Sequence, residues 1–85
     1  MKTAYLTHVD ICTVQKDHTF NLTGKVFDDE AGRWPDGIFI KTSLVMKIDP
    51  SHLLVETRNT QYYIGSVDME GLLQLIEKQG LKVGG

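Results

Sequence analysis

Strand-type alternation runs through most of the chain and gives way to a helical period near its end. Between Lys2 and Val14 the odd positions carry Tyr5, Thr7, Val9, Ile11 and Thr13, and the even ones Ala4, Leu6, His8, Asp10, Cys12 and Val14. Neither set is wholly apolar, yet β-forming residues dominate both, which predicts one long strand or two short ones joined by a bulge. The polar run Gln15-Lys16-Asp17-His18 closes a hairpin. Phe20, Leu22, Gly24 and Val26 then alternate cleanly with Thr19, Asn21, Thr23 and Lys25, the pattern of a half-buried strand. Gly24 inside that run marks a bend, a bulge or a close approach of another backbone.

After Phe27 the alternation stops for the loop Asp28–Gly37, which is long for a hairpin connection. Pro35-Asp36-Gly37 is a turn: Pro sets φ near −65° and Gly supplies a positive φ. Alternation resumes from Ile38 to about Ile48, with Ile38, Ile40, Thr42, Leu44, Met46 and Ile48 on one face. A strand of that length in so short a chain has to curve strongly and serve both halves of a sheet. Asp49–His52 reads as a turn, Leu53–Thr57 as a strand, Arg58–Gln61 as a connection and Tyr62–Ile64 as the last strand. Asn59 is the residue of that connection best suited to a left-handed conformation.

The period then changes. Met69, Leu72, Leu73 and Ile76 fall at helical spacing opposite Glu70, Gln74, Glu77 and Lys78, predicting a helix over about 67–79. Ser66 or Asp68 can cap its start, Gly80 its end, and Leu81 folds back as the hydrophobic contact of that stop. The tail from Lys82 onward is expected to fray. Strands first and one helix last make an α+β domain over residues 1–85, with strands within about 3–65. The expected architecture is a strongly bent antiparallel sheet, or a small SH3-like barrel, of four or five strands followed by the C-terminal helix.

Composition narrows the function classes. Eleven acidic against nine basic residues give a net charge of −2, so no footprint for bulk nucleic acid or an anionic membrane surface is expected. Cys12 is the only cysteine, which excludes an intrachain disulfide and points to a reducing compartment. Met1–Tyr5 lacks the apolar segment of a signal peptide, and no apolar run approaches the ~20 residues of a membrane helix, so the expectation is a cytoplasmic protein. The Asn21-Leu22-Thr23 sequon carries no weight without secretion.

Candidate chemistry is sparse. Asp28, Asp29, Glu30 and Asp36 lack the spacing of a calcium loop, and His8, His18 and His52 lack ligand spacing among themselves or with Cys12, so no metal or cofactor is expected. No nucleophile has a local base and oxyanion hole, so the chain is not read as an enzyme. Cys12 reads as a small buried hydrophobe. Arg33 beside Trp34, on a Gly/Pro corner, has the composition enriched at interface hot spots; equally, Trp34 can fold back to plug the mouth of the sheet. An aromatic face can also stack a base, while Arg33, Lys41, Thr42, Ser43, Arg58, Asn59 and Thr60 supply donors for phosphate and sugar oxygens.

Gly32-Arg33-Trp34-Pro35-Asp36-Gly37 with Ile40-Lys41-Thr42-Ser43, followed by Val55-Glu56-Thr57-Arg58-Asn59-Thr60 and Tyr62, resembles small uncharacterised accessory proteins of phages, prophages and plasmids. The resemblance covers the middle half of the chain. It implies a protein that binds and neutralises a host component. Two expectations follow. In the first, the 28–43 loop and strand, with Arg33, Trp34 and Asp36, engage a host protein as an anti-defence inhibitor. In the second, a homo-oligomeric sponge sequesters a nucleotide-like signalling molecule through Arg33, Thr42, Ser43 and Arg58. The two differ in sign, because a phosphate pocket must keep the loop carboxylates turned away.

Overall fold

The computed structural model describes residues 1–84, built of six strands, a short 3-10 turn at Pro50–His52 and one α-helix. The strands are β1 (Lys2–Val14), β2 (Phe20–Phe27), β3 (Ile38–Lys41), β4 (Val45–Asp49), β5 (Leu54–Thr57) and β6 (Thr60–Ile64), followed by α1 (Ser66–Gln79). They form one sheet in the order β3-β2-β1-β6-β5-β4. The α+β reading holds. The sheet is mixed rather than antiparallel, because β1 and β6 run parallel at its centre, with Tyr5 opposite Tyr63. Sequence pattern signals hairpins between neighbours and carries no local trace of a pairing between the first and last strands.

The sixth strand comes from the segment expected to be one strand over 38–48. It breaks at Thr42-Ser43-Leu44, and its halves β3 and β4 lie at opposite edges of the sheet. Three residues span those edges only because the sheet curls strongly, as its length demanded, yet β3 and β4 do not pair and the sheet does not close into a barrel. Thr42 anchors the crossing. Its amide donates to Leu22 O (2.8 Å), and its hydroxyl accepts from Leu22 N (3.1 Å) and donates to Ser43 O (2.8 Å). The break also shifts parity, so that Val45, not Leu44, is fully buried.

In β1 the mixed faces resolve as a bulge. Pairing with β2 slips between Thr7 and Asp10, where His8 takes a φ of 54°, and again between Ile11 and Thr13, on either side of Cys12. Ala4 and Leu6 are buried before the first slip; Val9 and Ile11 turn inward after it. Cys12 therefore ends exposed, against the expectation of a buried thiol. Gly24 faces this bulge, and a Cβ there would lie 2.6 Å from Thr7 O and 2.8 Å from Leu6 Cγ, so the close approach permits no side chain.

The core is continuous: Ala4, Leu6, Phe20, Leu22, Val26, Ile40, Val45, Val55, Tyr62 and Ile64 from the sheet meet Met69 and Leu72 of α1. The helix starts without a side-chain cap, on Gly65. It stops as expected at Gly80, whose φ is 63°, with Leu81 N donating to Ile76 O (3.0 Å) and the Leu81 side chain buried. The tail is tied down rather than frayed as far as Gly84. Lys82 N donates to His18 O (2.8 Å) and Gly84 N to Val45 O (3.1 Å), so it bridges the β1–β2 turn to β4 across the open side of the sheet. Gly85 lies outside the described residues. Among the described residues, no helix is long and apolar enough to cross a membrane.

Candidate functional site

The residues singled out by sequence separate into groups. Arg33, Trp34 and Asp36 stay on the 28–37 loop, where the side chains of Asp29, Arg33 and Asp36 are bonded internally while Asp28 and Glu30 stay exposed. The Asp29 side chain is wholly buried and accepts from Arg33 N (2.7 Å), Arg33 Nε (3.1 Å) and Arg33 Nη2 (2.9 Å). Asp36 caps the loop's entry by accepting from Asp28 N (2.8 Å). Glu30 N and Gly37 N donate to Thr3 O and Val26 O, pinning the loop to β1 and β2. The Arg33 guanidinium lies 4.1 Å from the centre of the Trp34 ring, and Trp34 is half-buried against the core. Of the two readings left open for Trp34, the geometry is that of the plug, with Arg33 as its cover.

Electrostatics follow the same circuit. The fork of hydrogen bonds from Arg33 holds the Asp29 carboxyl below its usual range, and Asp29 in turn raises the guanidinium. Burial pushes the Tyr62 phenol up, offset partly by the neighbouring Thr60 side chain and by the Arg33 charge.

Ser43 and Arg58 do meet. They line an open cleft of about 790 Å³ together with Gln15, Lys16, Asp17, Thr19, Asn21 and Leu44. The cleft forms at the seam where the curled sheet brings the β1–β2 turn, the 42–44 crossing and the β5–β6 turn together. Arg58 N donates to Leu44 O (3.2 Å), which fixes the third wall to the second. Thr42 is buried behind the cleft, and its carbonyl accepts from Asn21 Nδ2 (2.8 Å). Lys41 is exposed on β3 and Asn59 in the β5–β6 turn, and neither lines the cleft. Asn59 does not take the expected positive φ; the Thr57 hydroxyl holds that turn instead, donating to Thr60 O and accepting from Thr60 N. Thr60 is fully buried in the core.

The cleft carries three formal charges. Lys16 and Arg58 are exposed, and among the described residues neither forms an ion pair. Asp17 is engaged with its own turn: its Oδ1 accepts from the Thr19 hydroxyl (2.6 Å) and Thr19 N (3.1 Å), which hold the carboxyl below its ordinary range. None of Asp28, Asp29, Glu30 and Asp36 lines the cleft. An excess of one positive charge, with two hydroxyl and two amide side chains, suits an anion of low charge.

Sequence reasoning missed Gln15, Lys16, Asp17, Thr19, Asn21 and Leu44. Their turn is visible as a hairpin, but its meeting with Arg58 is a contact between distant parts of the chain that no local pattern encodes. It also missed a surface cluster on the turn after β4. Asp49 accepts from the Ser51 hydroxyl (2.7 Å) through Oδ1, and its Oδ2 lies 2.8 Å from His52 Nδ1, which is also 3.1 Å from Ser51 Oγ. In a nucleophilic relay the serine and the carboxylate occupy opposite ring nitrogens. Here both share Nδ1 and the hydroxyl points at the carboxylate, so the cluster is a turn lock.

No family model, curated protein or solved structure matches the chain.

Proposed function

We propose that the chain is a binding protein without catalytic activity that captures a small, nucleotide-like anion in the Lys16–Arg58 cleft. The observation that carries this reading is the separation of charge. None of the four loop carboxylates lines the seam, and Asp29 and Asp36 are bonded within the loop, while Lys16 and Arg58 converge on the seam without an ion-pair partner. Of the two expectations that differ in sign, this arrangement favours the ligand-sequestering one. The resemblance to accessory proteins of mobile elements supplies the context: binding a host signalling nucleotide is sufficient to silence it.

Native mass spectrometry of gently purified protein from a host with active defence systems tests the reading. A ligand mass lost on denaturation, and absent from Arg58→Ala, supports it. A clean protein mass, with no shift on titration against a nucleotide panel, overturns it.

A second reading, engagement of a host protein by the 28–43 loop and strand, is favoured by one feature. Ile38 and Phe39 on edge strand β3 are 43% and 58% exposed beside the rigid loop. Pull-down with Phe39→Ala as the control separates the two. A partner lost in Phe39→Ala but kept in Arg58→Ala moves the function to the edge strand.

A further inference from the structure

The outward face of the sheet carries an apolar row across its four central strands. By register, Phe27 of β2 sits beside Tyr5 of β1, Tyr5 beside Tyr63 of β6, and Tyr63 beside Leu54 of β5. Tyr5 is 53% and Tyr63 37% exposed, with ring centres 5.6 Å apart. A mostly apolar groove of about 340 Å³, lined by Tyr5, Leu6, Thr7, His52, Leu53 and Tyr63, opens next to the pair. The helix does not cover this face, because Met69 and Leu72 enter the core on the other side of the sheet.

Charge on this face is arranged about the tyrosine pair. Lys25 lies two residues along β2 from Phe27, level with Thr7; Glu56 lies two residues along β5 from Leu54, level with Gln61. Because β1 and β6 are parallel, these positions fall on diagonally opposite sides of the Tyr5–Tyr63 centre. Lys25 holds its ammonium over the Phe39 ring, 5.5 Å from its centre, and Glu56 stands opposite Lys47 of β4 by register, yet among the described residues neither forms an ion pair in its own chain. A two-fold axis lying in the interface, through the tyrosine pair and along the other diagonal, therefore sets Lys25 of one copy over Glu56 of its mate, twice. The strands of the two sheets then cross near a right angle, a recognised mode of sheet packing, and the convex faces meet at their centres. The contact is isologous, as a closed dimer requires.

We propose that a second copy of this chain covers the outward face, forming a homodimer centred on Tyr5 and Tyr63 and registered by reciprocal Lys25–Glu56 pairs. The seam cleft lies away from the central strands β1 and β6, so each copy keeps its cleft open and the proposal stands independently of what the cleft holds.

Sedimentation equilibrium on the full chain tests it, with circular dichroism and thermal melting to verify folding of each variant. Wild type is expected to approach twice the 9.6 kDa chain mass at high concentration. Tyr63→Lys is expected to sediment as a folded monomer. Lys25→Glu is expected to weaken the dimer at least tenfold, and adding Glu56→Lys to the same chain to restore it, since the swapped charges meet again across the axis. A wild type that stays monomeric at its highest soluble concentration overturns the proposal. So does a dimer indifferent to Tyr63→Lys, or a charge swap that fails to restore a folded Lys25→Glu variant.

Discussion

The loop over 28–37 and the cleft at the seam are both rich in polar side chains, and they use them in opposite ways. In the loop, Asp29, Arg33 and Asp36 are bonded to one another or to the backbone, and the Asp29 side chain has no exposed surface. In the cleft, Lys16 and Arg58 project without an ion pair, while Asp17, Thr19 and Asn21 are bonded internally. Buried groups gain from being fully partnered, because an orphaned donor or acceptor costs more than a made bond returns. Exposed cations lose nothing by waiting for a ligand. The most distinctive stretch of sequence is thus a folding device, while the unpaired cations at the seam belong to ordinary turns.

The largest effect that would break this contrast is on stability. Asp29→Ala strands the Arg33 side chain and backbone amide beside a half-buried tryptophan, and is expected to cost about 2–3 kcal/mol. For a domain of this size that lowers Tm by roughly 10–20 °C. Thermal melting would show it, and ligand retention in the variant, measured below its Tm, should match wild type. A variant that melts normally but loses the ligand would exchange the roles assigned to the two regions. Trp34→Ala belongs to the same test. Half-buried as it is, its truncation is expected to cost about 2 kcal/mol, below the range for a fully buried ring.

The same clasp predicts an acid limit. The folded Asp29 carboxyl titrates below its unfolded value of about 3.9, so its contribution is fully present above that value. It is lost as the pH falls through the lower, folded pKa. Denaturant titrations at stepped pH should show stability falling below about pH 4, with a shallower fall in Asp29→Ala. An identical acid profile in the two proteins would mean that the clasp contributes nothing to the folded state.

What the chain disclosed of this arrangement depended on range. The alternation of β2, the Gly80 stop and the turn at Gly37 (φ 83°) are local, and each was legible. The curvature demanded by 38–48 was legible as well, because a strand too long for one side of a small sheet has to bend. The break that delivers it depends on Thr42 meeting Leu22, twenty positions earlier, and the parallel pairing joins Lys2 to Thr60. Neither leaves a periodic trace. For the site, Ser43 and Arg58 were chosen for their chemistry and did converge. Arg33 and Thr60 were chosen on the same grounds and are consumed by the clasp and the core. Residue type proposes donors; only packing decides which remain free.

A smaller effect sharpens the cleft side of the contrast. Arg58→Ala removes an exposed side chain with no ion pair, so stability should change by no more than about 0.5 kcal/mol. Ligand affinity should fall at least about tenfold, the equivalent of about 1.4 kcal/mol. Calorimetric titration beside a melting curve separates the two quantities, and a large loss of stability would assign Arg58 to the turn it occupies.

The smallest expected change is at Lys16. It sits on the β1–β2 turn, exposed, with a flexible stem and no hydrogen bond that orients its ammonium among the described residues. A mobile, hydrated cation at a cleft rim contributes mainly through a screened field, typically under about 1 kcal/mol. Lys16→Ala should therefore weaken the ligand only about threefold, on the order of 0.6 kcal/mol, and the deficit should shrink as salt is raised. Arg58 is different in kind, since the bond from its amide to Leu44 O holds its backbone and a guanidinium offers a planar fork to an anion. If the two alanine variants lost equal affinity with equal salt dependence, the cleft would be acting as a diffuse positive patch. A larger, salt-resistant loss at Arg58 alone would place the anion against that wall.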